Sequence, residues 1–254
     1  MYDDANSVVR PLTEPVDTIL GQVLSPGARR FVTEHADFLV KVDFKDISFH
    51  PAPEVRSAEG YYSYDGKMHS VWLDRESADF EGLLMHETVR GILLERGYPR
   101  TICPESLHSC PYLPYLGFLL SSAIIDPVID RRLIQAGFRV YDRKVLIERV
   151  EMRVWMDVRE ENSEAYEFLT RKWILLMVLL SLDSTFGGDD ADRLKALIRD
   201  KFPVSSKLAN RLAACIKEEG FTDPYSALTA IMRLRDALRL HEMIPILDGN
   251  GVTW

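Results

Sequence analysis

Cysteine is scarce in this chain: Cys103, Cys110 and Cys215 are the only three in 254 residues. An odd, sparse set makes a poor disulfide framework and fits a reducing compartment. Base is also short, with 31 Lys and Arg against 39 Asp and Glu and a formal net charge of -8. Phosphate binding needs clustered cations, so nucleic acid is not expected as a partner. The longest apolar run, Trp173 to Leu182, is too short to span a bilayer. The N-terminal stretch MYDDANSVVRPLTEP carries acids where a secretory signal needs bases. A soluble cytoplasmic protein with no membrane association is therefore expected. No glycine-rich phosphate loop, G-x-S-x-G elbow or dinucleotide fingerprint occurs, and there is no repeat or low-complexity tract.

What the chain has is a 46% hydrophobic composition, ample for a buried core. Residues 1–14 read as a loose arm. The pattern from Val16 to Ala36 suggests helix, broken at Ser25-Pro26-Gly27. Phe38 to Phe44 alternates apolar and polar residues, and Ile47 to His50 reads as another short strand. Asp65-Gly66 between two β-rich runs is the signature of a two-residue hairpin, because Gly66 tolerates positive φ. Beyond residue 78 the periodicity is helical, with helices expected near 79–96, 113–136, 143–158, 163–183, 189–201, 206–218 and 224–242. Strands first and helices after is an α+β order. The expected fold is an α+β region over 15–138, in which a small antiparallel sheet with a hairpin is followed by a mainly helical core, and then a helical region over 139–254 packed on it as one domain.

The stretch LLMHETVRGILLERGYP, residues 83–99, carries the chemistry. On a wheel at about 100° per residue, His86, Glu87 and Arg90 share an arc with Leu83, Leu93 and Leu94, while Thr88 and Glu95 mark the side expected to face water. Three ionisable groups on a face meant for burial call for pairing or a metal. In a zinc hydrolase of the H-E-x-x-H type, ligands at i and i+4 grip the ion and the intervening Glu polarises the attacking water. Arg90 stands at the i+4 place, and a guanidinium has no lone pair to offer.

Further carboxylates lie in the segment 119–138, where Asp126 and Asp130 are one turn apart on an otherwise apolar stretch. With His86, either gives the mixed nitrogen and oxygen ligation that zinc accepts; without a metal, Arg90 can form a bidentate pair with one of them. Asp126-Pro127 reads equally well as a helix start, with Asp126 as N-cap, and Asp130 as one half of a structural ion pair. The loop holding Cys103, His108 and Cys110 matches no zinc ribbon or finger spacing and reads as reduced thiols. Trp173 to Leu180 is apolar on nearly every side, the mark of a buried helix, and the arginines between Ala230 and His241 read as a solvated face.

A sheet ending in a hairpin, a helix with His86-Glu87, and a following helix with acidic residues together resemble the zincin-like metallopeptidase fold, over about residues 38–138. The resemblance implies His86 as the first zinc ligand, Glu87 as the general base, and Asp126 or Asp130 as the third ligand, in a zinc-dependent hydrolase acting on a peptide or protein. The departure is Arg90 in place of the second histidine. It leaves a second expectation open: an inactive pseudo-zincin acting as a binding or structural module, with Arg90 paired to Asp126 or Asp130 in place of the metal.

Overall fold

A computed structural model describes residues 17–51, 56, 59–102, 113–140, 163–183, 189–248 and 251–253. The chain is α+β and mostly helical, with eight α-helices and three small sheets among the described residues. It divides into two compact units. The first holds the described residues up to Ile92 together with those from Leu133 to Val140; the second holds Leu93 to Arg132 and the described residues from Ser163 onward. The expected helix over 143–158 and the Cys103, His108 and Cys110 loop lie outside the described residues.

The first unit opens with a hairpin, not a helix. β1 (Thr18–Ile19) pairs antiparallel with β2 (Gln22–Val23) across Leu20 and Gly21, which have φ of 51° and 81°. Two successive left-handed residues make the tight turn whose twist suits a two-residue hairpin. Ser25-Pro26 then begins a helix where the sequence suggested a break: α1 (Pro26–Glu34) has Ser25 as N-cap and Pro26 in its first turn. Phe38 and Leu39 belong to the short α2 (Ala36–Leu39), so the strand expected from Phe38 is confined to β3 (Val42–Asp46). The strand expected over Ile47–His50 is a 3-10 turn, because the Asp46 carboxylate accepts from the Ser48 N–H at 2.9 Å and turns the chain.

β4 (Gly60–Tyr64) and β5 (His69–Leu73) form the expected hairpin, but Tyr64 pairs with His69, so the connection is four residues long. Asp65 sets that length by accepting from the Lys67 and Met68 N–H groups at 2.8 and 2.9 Å. The sheet is mixed and not antiparallel: its order is β3-β5-β4, and β3 runs parallel to β5. Parallel pairing arises because Asp46 and Gly60 lie at the same end of the sheet, both opposite Leu73, with one strand position skipped between them that β5 fills on returning from the hairpin. His69, Val71 and Leu73 are buried and alternate with the half-buried Ser70 and Trp72, which fixes one face of the sheet toward the core.

α3 (Phe80–Glu95) is the helix of the quoted stretch. Asp79 caps it, accepting from the Gly82 N–H at 3.3 Å, and Arg139 anchors the same carboxylate at 2.5 Å. Glu81, in the first turn, accepts from the backbone N–H and the hydroxyl of Ser25 at 2.6 and 2.7 Å. It thereby completes for α1 the reciprocal half of a capping box that its own third residue, Ala28, cannot supply. Of the side of α3 expected to face water, Glu95 is exposed, but Thr88 is fully buried, as is every residue from Gly82 to Val89. Over that stretch the helix is enclosed on every side and has no polar stripe for the wheel to detect.

In the second unit, α4 (Leu113–Gln135) runs unbroken through Pro127. Asp126 is therefore a mid-helix residue and not an N-cap; the helix tolerates the lost N–H because its apolar surface is packed, with Leu120, Ile124 and Ile129 fully buried. By length and composition α4 is also apolar enough to cross a membrane, yet 78% of its most apolar window is buried within the fold. α5 (Ser163–Leu182) is buried from Lys172 to Leu180, as its apolar run implied. α6 (Asp189–Lys201), α7 (Pro203–Glu219) and α8 (Pro224–Ala237) follow, and α6 matches its expected bounds. Of the arginines read as a solvated face, Arg233 pairs with Glu219 at 2.5 Å, but Arg235 is buried. A third sheet joins β6 (Arg100–Thr101), β7 (Ile246–Asp248) and β8 (Gly251–Thr253), all antiparallel.

Two outcomes test this packing. A Cβ on Gly91 of α3 would lie 2.5 Å from Phe38 Cζ and 2.8 Å from Tyr62 Cε2. Glycine to alanine inside a helix ordinarily stabilises by up to about 1 kcal/mol, but forcing two ring edges apart costs about 1–3 kcal/mol. Gly91→Ala is therefore expected to lower unfolding stability in urea, and a gain would mean the rings do not rest on the helix. In α8, Asp223 caps the first turn through Tyr225 and Ser226, and the Ser226 hydroxyl and N–H hold its carboxyl below the usual 3.8. A folded-state value below the unfolded one adds stability that is present above pH 3.8 and lost as pH falls through the lower folded value. Carbon-13 titration of the Asp223 carboxyl should show the lowered midpoint, with loss of first-turn amide protection following it.

Candidate functional site

The candidate site stands on α3, and its geometry follows from helical spacing. Glu87 and Arg90 are three residues apart and His86 and Arg90 are four apart, so one guanidinium overhangs both upstream side chains. Arg90 Nε donates to Glu87 Oε2 at 2.9 Å, and Arg90 Nη2 lies 3.1 Å from His86 Nε2. His86 and Glu87 are 3% and 5% exposed. The Arg90 side chain keeps 14% of its surface in solvent, so the ion pair is largely screened from water.

The donor chemistry assigns the imidazole. A guanidinium has only donors, so His86 Nε2 must accept, and the ring proton sits on Nδ1. The imidazole is thus neutral, with its Nε2 lone pair engaged by Arg90. Glu87 is ionised opposite a fixed cation, and the pair carries no net charge.

The sheet closes the other side of α3. Leu83, Glu87 and Gly91 form one stripe at four-residue spacing, and this stripe meets β4. A Cβ placed on Gly60 would lie 3.1 Å from Leu83 Cδ2 and 3.3 Å from Glu87 Cγ; one on Gly91 would strike Tyr62. Two glycines, one on each element, let strand and helix approach at the level of Glu87. Tyr62 is held in turn by a 2.5 Å hydrogen bond between its hydroxyl and His69 Nδ1, with the Tyr64 ring stacked on His69 at 4.6 Å. The sequence reading drew no claim from His69. The signal was present in the strand alternation, which puts Tyr62, Tyr64 and His69 on one face once the four-residue connection sets the register.

The structure thus brings His86, Glu87 and Arg90 together. Asp126 and Asp130 lie one turn apart on α4, in the second unit, and both are buried, at 7% and 0% exposure. Neither is solvated.

The residues of α3 do not fit a zinc ion. Its first ligand atom, His86 Nε2, is engaged by a cation; its second ligand position holds a group without a lone pair; and its neighbouring carboxylate is already neutralised. Among the described residues no group of three or more His, Cys, Asp or Glu side chains is placed to hold a metal. What the arrangement can do chemically is hold a buried carboxylate and a neutral imidazole in fixed orientation through one shared donor.

Comparison of the chain with protein-family models, with curated proteins and with solved structures gives no match.

Removing Arg90 strands a buried carboxylate and an unmatched imidazole acceptor. Breaking a buried pair in this way costs about 3–5 kcal/mol, so Arg90→Ala should shift the urea midpoint sharply. Arg90→Lys restores charge but presents a point donor on a shorter reach to two acceptors, and should recover only part of the loss. A change below about 0.5 kcal/mol in Arg90→Ala, the size of an ordinary surface substitution, would contradict the bridging role.

Proposed function

We propose that this chain is a metal-independent pseudo-zincin, a structural or binding module in which the Arg90 guanidinium occupies the electrostatic place of a metal ion. The observation that carries this reading is the double engagement of Arg90, by Glu87 Oε2 at 2.9 Å and by His86 Nε2 at 3.1 Å. A metal in such a helix neutralises the carboxylate's field and orients the imidazole. The guanidinium performs both tasks with a covalently tethered charge that neither dissociates nor activates water. Loss of the Lewis acid removes the hydrolytic step, while the fixed trio is retained as part of the packing of α3 against the sheet. The module's partners are then a peptide or protein, in line with an acidic surface that disfavours nucleic acid.

Metal analysis of protein purified without added zinc, paired with the Arg90→His variant, tests the proposal. The native chain is expected to carry less than stoichiometric zinc after dialysis and to show no gain in thermal stability on adding it. Arg90→His replaces the cation with a lone pair at the i+4 position and should give saturable zinc binding, read as a rise in melting temperature that chelator reverses. Stoichiometric, tightly held zinc in the native protein would overturn the pseudo-zincin reading in favour of the metal-dependent hydrolase.

A further inference from the structure

The chain leaves α4 through three consecutive residues, each tied to α1 or to the cap of α3. Gly137 has φ of 71°, and the N–H groups of Gly137 and Phe138 return to the Ile134 and Leu133 carbonyls at 2.9 and 2.8 Å. This is the left-handed glycine cap that ends a helix and fixes the direction of exit. The Gly137 carbonyl then accepts from Arg30 Nη2 at 3.0 Å. Phe138 is buried and meets the Phe31 ring edge-on at 5.1 Å between centroids. The Arg30 guanidinium lies over the Phe138 ring, 4.5 Å from its centre. Arg139 reaches Asp79 Oδ1 at 2.5 Å.

Asp79 is where this strap meets α3. Its carboxylate accepts from the Gly82 N–H at 3.3 Å, and its backbone carbonyl accepts from the Leu83 N–H at 3.0 Å. A Cβ on Gly82 would lie 2.5 Å from Asp79 Oδ2, so the carboxyl is folded down onto the first turn. Asp79 is buried, and a buried carboxylate is costly without a cation beside it. The cations themselves lie at the surface: the Arg30 and Arg139 side chains keep 54% and 57% of their area in solvent. Contacts exposed to that degree are weakened by salt. Ala136, Gly137 and Arg139 are exposed as well, so Phe138 is the main buried anchor of the strap. A segment with so few buried contacts belongs to the low-stability end of a fold.

We infer that Gly137–Arg139 is a salt-sensitive latch: the strap, the Arg30 clasp on α1 and the first turn of α3 open and close as one unit, linked by the Arg139–Asp79 pair. Docked, the latch gives Asp79 a cation and keeps its carboxyl on Gly82. Undocked, Phe138 leaves Phe31 and Arg30, and the first turn of α3 keeps the tie of Glu81 to Ser25 but loses that of Arg139. The link works in both directions, since whatever loosens the strap also takes the cation from Asp79. It does not depend on what His86, Glu87 and Arg90 bind.

Amide hydrogen exchange on the full chain tests the latch. Raising sodium chloride to about 1 M, where the screening length falls to roughly 3 Å, is expected to speed exchange at Gly82, Leu83 and Phe138 together and to leave Val89, in mid-helix, unchanged. Arg139→Gln removes the linking charge and should speed the same three amides about tenfold, the loss expected of one charge-assisted hydrogen bond. Arg30→Met is the sharper probe. Arg30 touches Gly137, Phe138 and Glu34 but not α3, yet its loss should speed exchange at Gly82 and Leu83, because the opening is passed on through Arg139. Gly82 and Leu83 unmoved in Arg30→Met, or Val89 rising in step with them, overturns the latch. Should either variant fail to fold, the salt series on the native chain decides, and a response at Phe138 without one at Gly82 overturns the coupling.

Discussion

The first unit is organised around the half-buried positive charge of Arg90 on α3. Arg90 lies on a helix whose surface is enclosed from Gly82 to Val89, and an enclosed carboxylate and imidazole on such a helix require a partner of opposite character. A guanidinium supplies it economically. Its planar fork offers donors in two directions, so one side chain satisfies Glu87 three residues back and His86 four residues back. Lysine at the same place would offer charge without the fork. Alanine would offer neither.

Other features of the unit follow from placing that trio inside. The helix carrying it must be pinned, and it is: Asp79 and Arg139 hold its first turn, and Glu81 ties the same turn to the start of α1. The strand beside it must come close, so glycine stands at 60 on the strand and at 91 on the helix. With no Cβ at either place, the Tyr62 ring reaches the helix and the Glu87 side chain lies over the strand. Glycine in a helix or strand interior is intrinsically unfavourable by roughly 0.5–1 kcal/mol. Two of them, one on the strand against Glu87 and one on the helix against Tyr62, point to the closeness of the approach as the thing gained.

The sequence made the α+β order, the hairpin after residue 60 and most of the long helices legible, because each has a period or a stop signal that survives in one dimension. It concealed the features decided by tertiary context. Thr88 looked solvent-facing because it is polar, yet it is sealed with its hydroxyl unpartnered among the described residues. Asp126-Pro127 looked like a helix start because those residue types favour one, yet α4 passes through them; packing of Leu120, Ile124 and Ile129 outweighs one missing hydrogen bond. The parallel pairing of β3 with β5 had no local signature at all, since it depends on where the intervening chain runs. Asp65 made the hairpin four residues long through its side chain, a contact that a dipeptide motif does not encode.

At the site, the residue types were readable and their pairing was not. His86, Glu87 and Arg90 stood out because charge on a buried arc is rare, but a helical wheel reports directions, not distances. It left Arg90 with several potential anions. Spacing alone favours the near ones: partners at i-3 and i-4 are held by the helix itself, with little side-chain freedom to lose beyond that already fixed by burial. That local advantage holds the guanidinium against both acceptors. A metal must recruit ligands and give up its hydration each time it binds, whereas Arg90 is delivered to its acceptors by the same folding step that forms α3. The contacts of Arg90 to Glu87 Oε2 and His86 Nε2 are thus made on folding, with no separate loading step.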